Sequence, residues 1–139
     1  MRLQKYFSEC GVMSRRAAEF FAEYIRSNPN AVLGLATGST PVEMYKHLVE
    51  EYRAGTLDFS GLTTFNLDEY YPMAPDHTQS YRYFMNIHLF DHVNINKANT
   101  NVPDGLCADP RSYCAEYDRR ISAAGGIDLQ LLGVGKNGH

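Results

Sequence analysis

Ala31-Val32-Leu33-Gly34-Leu35-Ala36-Thr37-Gly38-Ser39-Thr40-Pro41 passes from an apolar run directly into hydroxyls, a glycine and a proline. The first half reads as a short buried strand and the second as a tight turn opening a helix. Thr40 suits the N-cap, Pro41 the first helical position and Glu43 the third, the pattern of a capping box. Tyr45, Leu48, Val49 and Tyr52 then repeat at helical spacing, and Gly55 follows as the stop. A strand that enters a helix through so short a turn is half of a β-α-β unit. Such units build parallel sheets with helices on their faces.

The same alternation extends both ways. Upstream, residues 14–27 predict a helix with Ala17, Phe20, Phe21, Tyr24 and Ile25 inward, Ser14 as cap and Asn28-Pro29 as terminator. Downstream, Leu62 to Leu67 reads as a second strand ending in Asp68-Glu69-Tyr70-Tyr71-Pro72. A helix is expected from Ser80 to His92, carrying Phe84, Ile87, His88 and Phe90. A polar connection with a short edge strand near Thr100–Val102 follows. Asp109-Pro110 then opens another helix, with Tyr113, Cys114, Tyr117 and Ile121 inward and Gly125-Gly126 as its stop. Ile127 to Leu132 is the last strand. The predicted class is α/β, a Rossmann-like parallel sheet flanked by helices, in one domain over residues 1–139. That last strand leads into Gly133-Val134-Gly135-Lys136-Asn137-Gly138-His139 with nothing after it to cover a buried strand. The expectation is therefore a truncated domain whose C-terminal part is missing. Arg2 to Phe7 makes a poor first strand.

Bulk properties narrow the class. The chain has 139 residues, 44% hydrophobic and 21% charged, which suits one globular domain. A net charge of −3, with no long basic run, argues against a nucleic-acid binder. Cys10, Cys107 and Cys114 form no CxxC and no regular framework, which fits reduced thiols in a cytoplasmic protein. No apolar h-region follows Met1, and no apolar stretch approaches the ~18 residues of a membrane span. His47, His77, His88 and His92 lack metal-ligand spacing with carboxylates, so surface or packing roles are expected of them. The ten tyrosines read by default as core packing with a reachable hydroxyl.

In a parallel sheet the chemistry gathers at the C-terminal ends of the strands. Three strand ends here are polar, and each admits two readings. Thr37-Gly38-Ser39-Thr40 at a helix start can hold a phosphate through backbone N–H groups, the helix dipole and hydroxyl donors; equally it can be an ordinary capped turn. No lysine follows in the Walker position, so a nucleoside triphosphate is not implied. Asp68-Glu69 offers a carboxylate able to take a proton from carbon next to a carbonyl, or a loop acid that caps a turn. Gly133-x-Gly135-x-x-Gly138 matches a dinucleotide fingerprint in letters only, without the helix and ribose acid that define it. His139 beside these glycines is either an acid–base group near neutral pH or a terminal histidine without a partner.

Together, Val32 to Pro41, Thr64-Phe65-Asn66-Leu67-Asp68-Glu69-Tyr70, Ser80-Tyr81 and Leu132 to His139 resemble the glucosamine-6-phosphate deaminases (isomerases), in order from about Ser14 onward. The same fold includes 6-phosphogluconolactonases and sugar-phosphate sensor domains; Asn66-Leu67-Asp68-Glu69-Tyr70 matches the deaminase version. The resemblance implies conversion of glucosamine 6-phosphate and water to fructose 6-phosphate and ammonia, in amino sugar catabolism, with no cofactor or metal. It implies that Thr37, Gly38, Ser39 and Thr40 hold the 6-phosphate. Asp68 shuttles a proton between C2 and C1 through an enol, and His139 helps open the pyranose ring, oriented by Asn137. Glu69 and Gly135 are weaker substrate contacts. Position 137 is aspartate in some relatives, and asparagine cannot serve His139 as an ionised partner. The family continues past the histidine to a glutamate that supports ring opening and later to a phosphate-binding lysine. For residues 1–139 alone the expectation is therefore little turnover. The implied partner is a small amino sugar phosphate, with neither nucleic acid nor membrane; the assembly stays open between monomer and homo-oligomer. A lactonase and a non-catalytic sugar-phosphate sensor are the alternatives.

Overall fold

The computed structural model describes residues 9–135, 137 and 138. Arg2–Phe7, Lys136 and His139 lie outside them. Helix α1 spans Cys10–Ser27, strand β1 Val32–Leu35, helix α2 Val42–Arg53 and strand β2 Thr63–Asn66. Helix α3 spans Tyr81–His88, followed by single 3-10 turns at Phe90–His92 and Lys97–Asn99. Strand β3 is Thr100–Asn101, helix α4 Pro110–Ala123 and strand β4 Leu129–Gln130. The sheet order is β3-β2-β1-β4 and every pairing is parallel, as the β-α-β reading predicts. No described helix is long and apolar enough to cross a membrane.

Both faces are covered. On one, Ala18, Phe21, Ala22 and Ile25 of α1 meet Met44, Tyr45, Leu48 and Val49 of α2, with Met85 and Leu89 from α3 and its end. On the other, Tyr117 of α4 packs with Val32 and Phe65, edge-on to Phe65 at 5.7 Å between ring centroids. Such burial on both sides explains why β1 is apolar throughout instead of alternating.

Several local expectations need correction. Helix α1 begins at Cys10, so Ser14 is a buried interior residue and not its cap. Its inward stripe is Ala18-Phe21-Ala22-Ile25; the small alanines admit α2 closely, and Phe20, a third of a turn away, is 56% exposed. Helix α2 starts at Val42, with Pro41 in the capping position at φ −81° and ψ −8°, and no side chain caps it. The expected capping box at Thr40 and Glu43 is thus not formed. Glu43 instead lies 3.8 Å from Lys46 and 3.9 Å from His47, one turn on. Helix α3 is shorter than expected, and Ile87 is exposed while Met85 and Leu89 fill the core. Cys114 is exposed on α4. The helix stops are as read: Gly55, Gly125 and Gly126 have φ of +76°, +92° and +87°.

One side chain pins the central turn. The Tyr45 hydroxyl, fully buried, donates to Ala36 O at 2.5 Å and accepts from Ala36 N at 3.1 Å. The end of β1 is thereby tied to the first turn of α2. Burial pushes this phenol far above the ordinary tyrosine value.

Candidate functional site

Because the strands are parallel, the segments after β1, β2 and β4 emerge on one rim. From β1 the chain moves to β2 on one side and returns to β4 on the other, so the β1/β4 boundary is the switch point of the sheet. The segment Thr37–Thr40 leaves β1 here. Gly38 has φ +93° with open space around its Cβ position, so the glycine serves the backbone conformation, not a close approach. Ser39 and Thr40 are exposed and Thr37 is half-buried. The N-terminus of the twelve-residue α2 follows, which supplies positive potential for an anion.

Beside it, β2 ends on Asn66, which is fully buried and donates through Nδ2 to Leu35 O at 3.1 Å, tying the two strand ends together. Among the described residues Asn66 Oδ1 finds no donor. Asp68 is exposed just past this point. Glu69 is held tightly. Its Oε1 accepts from Tyr70 N and Tyr81 N, each at 2.9 Å, and its Oε2 accepts from Ser80 Oγ at 2.8 Å and Arg82 N at 3.1 Å. A carboxylate has about four acceptor sites, and these donors take them all. Glu69 therefore works as the anionic cap of α3, where a negative charge also complements the helix dipole. Fully buried Ser80 completes that cap by accepting from Tyr83 N at 3.3 Å. Arg82 anchors the same helix to β3, donating to Thr100 Oγ1 at 2.7 Å and Thr100 O at 2.9 Å.

The clamp fixes Tyr81 beside the loop that follows β2. Its hydroxyl donates to Tyr70 Oη at 3.3 Å, and the two rings lie 4.8 Å apart at 41°. The bond with Tyr70 and burial, followed by the Tyr70 and Asp68 charges, push this phenol up to about 12, while Thr37 opposes the shift. The turn after β1 and the acid after β2 thus start side by side, from strand ends that Asn66 ties together. Ser80-Tyr81 entered the sequence reading as a motif without a role. The one local signal for it was a serine set just before a helix.

The third segment is less defined. Gly135 is exposed and its carbonyl accepts from Gly138 N at 2.9 Å, closing a turn around Asn137, also exposed. His139 lies outside the described residues, so its relation to Asp68 is not part of the geometry. Between this segment and α1 lies a cavity of about 160 Å³ bordered by Met13, Ala17, Pro41, Met44 and Leu132, with Ser14 and Thr40 as its polar members. Its wall is mainly apolar. Among the described residues no cluster of His, Cys, Asp and Glu has metal-binding geometry.

A family model for glucosamine-6-phosphate isomerases/6-phosphogluconolactonase matches residues 10–139. A glucosamine-6-phosphate deaminase of Clostridium perfringens (strain SM101 / Type A) is 60% identical over 127 residues, 91% of this chain and 52% of the relative. A deaminase of the same name from Thermoanaerobacter sp. (strain X514) is 55% identical over 127 residues, 91% of this chain and 50% of the relative. The solved structure of a monomeric glucosamine-6-phosphate deaminase superposes with a TM-score of 0.93 at 36% identity, covering 100% of this chain and 57% of that one. A 6-phosphogluconolactonase from Thermotoga maritima gives 0.70 at 26% identity, covering 88% and 57%. The chain spans about half the length of the curated relatives it matches.

Proposed function

We propose that this chain, which belongs to the family of glucosamine-6-phosphate isomerases and 6-phosphogluconolactonases, binds glucosamine 6-phosphate at the rim of its sheet and serves its conversion to fructose 6-phosphate and ammonia. The observation that carries the reading is that the turn Thr37–Thr40 and Asp68 leave neighbouring parallel strands at one rim, where Asn66 Nδ2 ties the two strand ends by donating to Leu35 O at 3.1 Å. An anion-binding turn and a carboxylate so disposed suit a substrate with a phosphate at one end and an acidic C–H at the other.

In this reading Thr37, Gly38, Ser39 and Thr40 hold the 6-phosphate with backbone N–H groups, hydroxyls and the α2 dipole. Asp68 takes the proton from C2 of the open-chain sugar; the C–H electron pair forms the C1–C2 double bond of an enol as O1 gains a proton. Returning a proton to C1 leaves an imine at C2, which water hydrolyses to a ketone with loss of ammonia. His139 assists ring opening, and Asn137 orients it; Gly135 is a weaker substrate contact. Glu69 contributes by fixing the loop next to Asp68. No metal or cofactor enters any of these steps.

The test is a coupled assay for ammonia and fructose 6-phosphate, set beside hydrolysis of 6-phosphogluconolactone. Ammonia release abolished by Asp68→Asn, with lactone untouched, supports the deaminase. Lactone hydrolysis without ammonia would install the lactonase reading instead. Binding of glucosamine 6-phosphate without either product, by a protein of the full length of its relatives, would make it a sugar-phosphate sensor.

A further inference from the structure

We propose that Gln130 is a positioning residue of this site. Folded across Gly34, its carboxamide caps the end of β4 in place of the sheet's next rung, and so keeps the segment after β4 apart from the turn Thr37–Thr40 by the width a sugar phosphate needs. The inference rests on the function proposed above and adds a residue to it.

The ladder between β1 and β4 stops early. Leu33 pairs with Leu129 and Gly34 with Gln130, and Leu131 N donates to Gly34 O at 2.9 Å. In a parallel ladder the next rung would run from Ala36 N to Leu131 O. Side chains hold both ends of it instead. Ala36 N donates to the Tyr45 hydroxyl at 3.1 Å, and Leu131 O accepts from Gln130 Nε2 at 2.8 Å. The two chains part from there, and the cavity of about 160 Å³ is bordered by Thr40 and Pro41 from one and by Leu131, Leu132 and Gly133 from the other. Paired strands run only ~4.8 Å apart, whereas a ligand hydrogen-bonded from both sides needs ~2.8 Å on each before its own width is counted. A closed rung at Ala36 would therefore narrow the rim where the ligand has to enter.

Gly34 makes the cap possible. A Cβ there would stand 1.9 Å from Gln130 Oε1 and 2.3 Å from its Cδ. The bare backbone lets the carboxamide lie back across β1, which accounts for a glycine inside a fully buried strand.

Gln130→Met keeps the length of the side chain and removes its donor, so Leu131 O becomes available to Ala36 N. In protein isotope-labelled at alanine nitrogen and leucine carbonyl carbon, a scalar coupling across an Ala36–Leu131 hydrogen bond should appear in Gln130→Met and be absent from the wild type. Calorimetry on a protein of the full length of its relatives gives the second readout. Gln130→Met should weaken glucosamine 6-phosphate by about tenfold, the cost of breaking one hydrogen bond to reopen the gap, and leave inorganic phosphate, which the turn alone holds, within about twofold. Gly34→Ala pushes the flexible carboxamide off the strand. It should cost the sugar phosphate as much, and add less than about twofold when combined with Gln130→Met. The coupling in the wild type, unchanged sugar phosphate binding in Gln130→Met, an equal loss for both ligands or independent losses from the two substitutions each overturn the proposal. A wild type that binds neither ligand refutes the proposed function and takes this inference with it, an outcome distinct from a wild type that binds and a Gln130→Met variant that binds as well.

Discussion

Replacing Glu69 by glutamine tests whether the clamp at the start of α3 is electrostatic or merely steric. The four donors divide two to each oxygen: Tyr70 N and Tyr81 N on Oε1, Ser80 Oγ and Arg82 N on Oε2. Glutamine keeps the shape but turns one oxygen into an NH2 group. Whichever way the amide is placed, two donors then face a donor. Each lost bond to a charged acceptor is worth about 1.5 kcal/mol at the low end, suited to a partly buried group, so two amount to roughly 3 kcal/mol. With a urea slope of about 2 kcal/mol per M, the midpoint should fall by roughly 1.5 M. Ser80→Ala should weaken the protein through the same contact, and the double variant should show a coupling of about 1 kcal/mol or more. A midpoint shift below about 0.5 M for Glu69→Gln, or strict additivity with Ser80→Ala, would refute the argument. Glu69 would then be a replaceable surface acid.

Gly105→Ala places a Cβ 2.4 Å from Met73 O and 2.6 Å from Tyr70 O, backbone atoms that cannot swing aside. It should lower the melting temperature by several degrees and disturb the Tyr70 ring resonances, since Met73 N also bonds Gly105 O at 2.8 Å. Gly38→Val forces a β-branched residue to φ +93°; loss of inorganic phosphate binding in calorimetry, beyond any loss of stability, is the expected result. Alkaline titration followed at the phenolate absorbance should leave Tyr45 and Tyr117 protonated until the protein unfolds, because burial raises both. The sign is definite. A phenol raised in the folded state adds stability that is present below the unfolded value near pH 10 and is lost as the pH climbs past it. Urea midpoints that hold steady from pH 9 to pH 11 would contradict this.

The parallel order of the sheet was legible because β1 is an apolar run and Thr63-Thr64-Phe65 of β2 are β-formers, and each strand leads through a polar segment into a helix. The stops at Gly55 and Gly125-Gly126 were legible because a positive φ has few takers other than glycine. The face of α1 was misread by one position. Phe20 and Phe21 both fit a stripe, and only the close approach of α2 over Ala18 and Ala22 decides between them. The Thr40 cap failed because Pro41 itself occupies the capping position. The two-residue β4 was overestimated, since pairing ends after Gln130 although the apolar letters continue through Leu132. At the site, Thr37–Thr40 and Asp68 stood out as polar breaks after apolar strands. The work of Glu69 was hidden, since its partners are up to thirteen residues away and none of them carries a charge-pair pattern at local spacing.

The Tyr45 hydroxyl that grips both polar atoms of Ala36 has a kinetic consequence. It closes the backbone into a small ring whose arc is the segment Thr37–Thr40, so the entropy of shaping that arc is lost when the chain folds, not when an anion arrives. A turn set in advance should capture phosphate in a single fast encounter, with no slow isomerisation after contact. Releasing the ring with Tyr45→Phe should move the cost of ordering from folding to capture. Association would then slow and acquire a concentration-independent phase, even where the equilibrium affinity changes little.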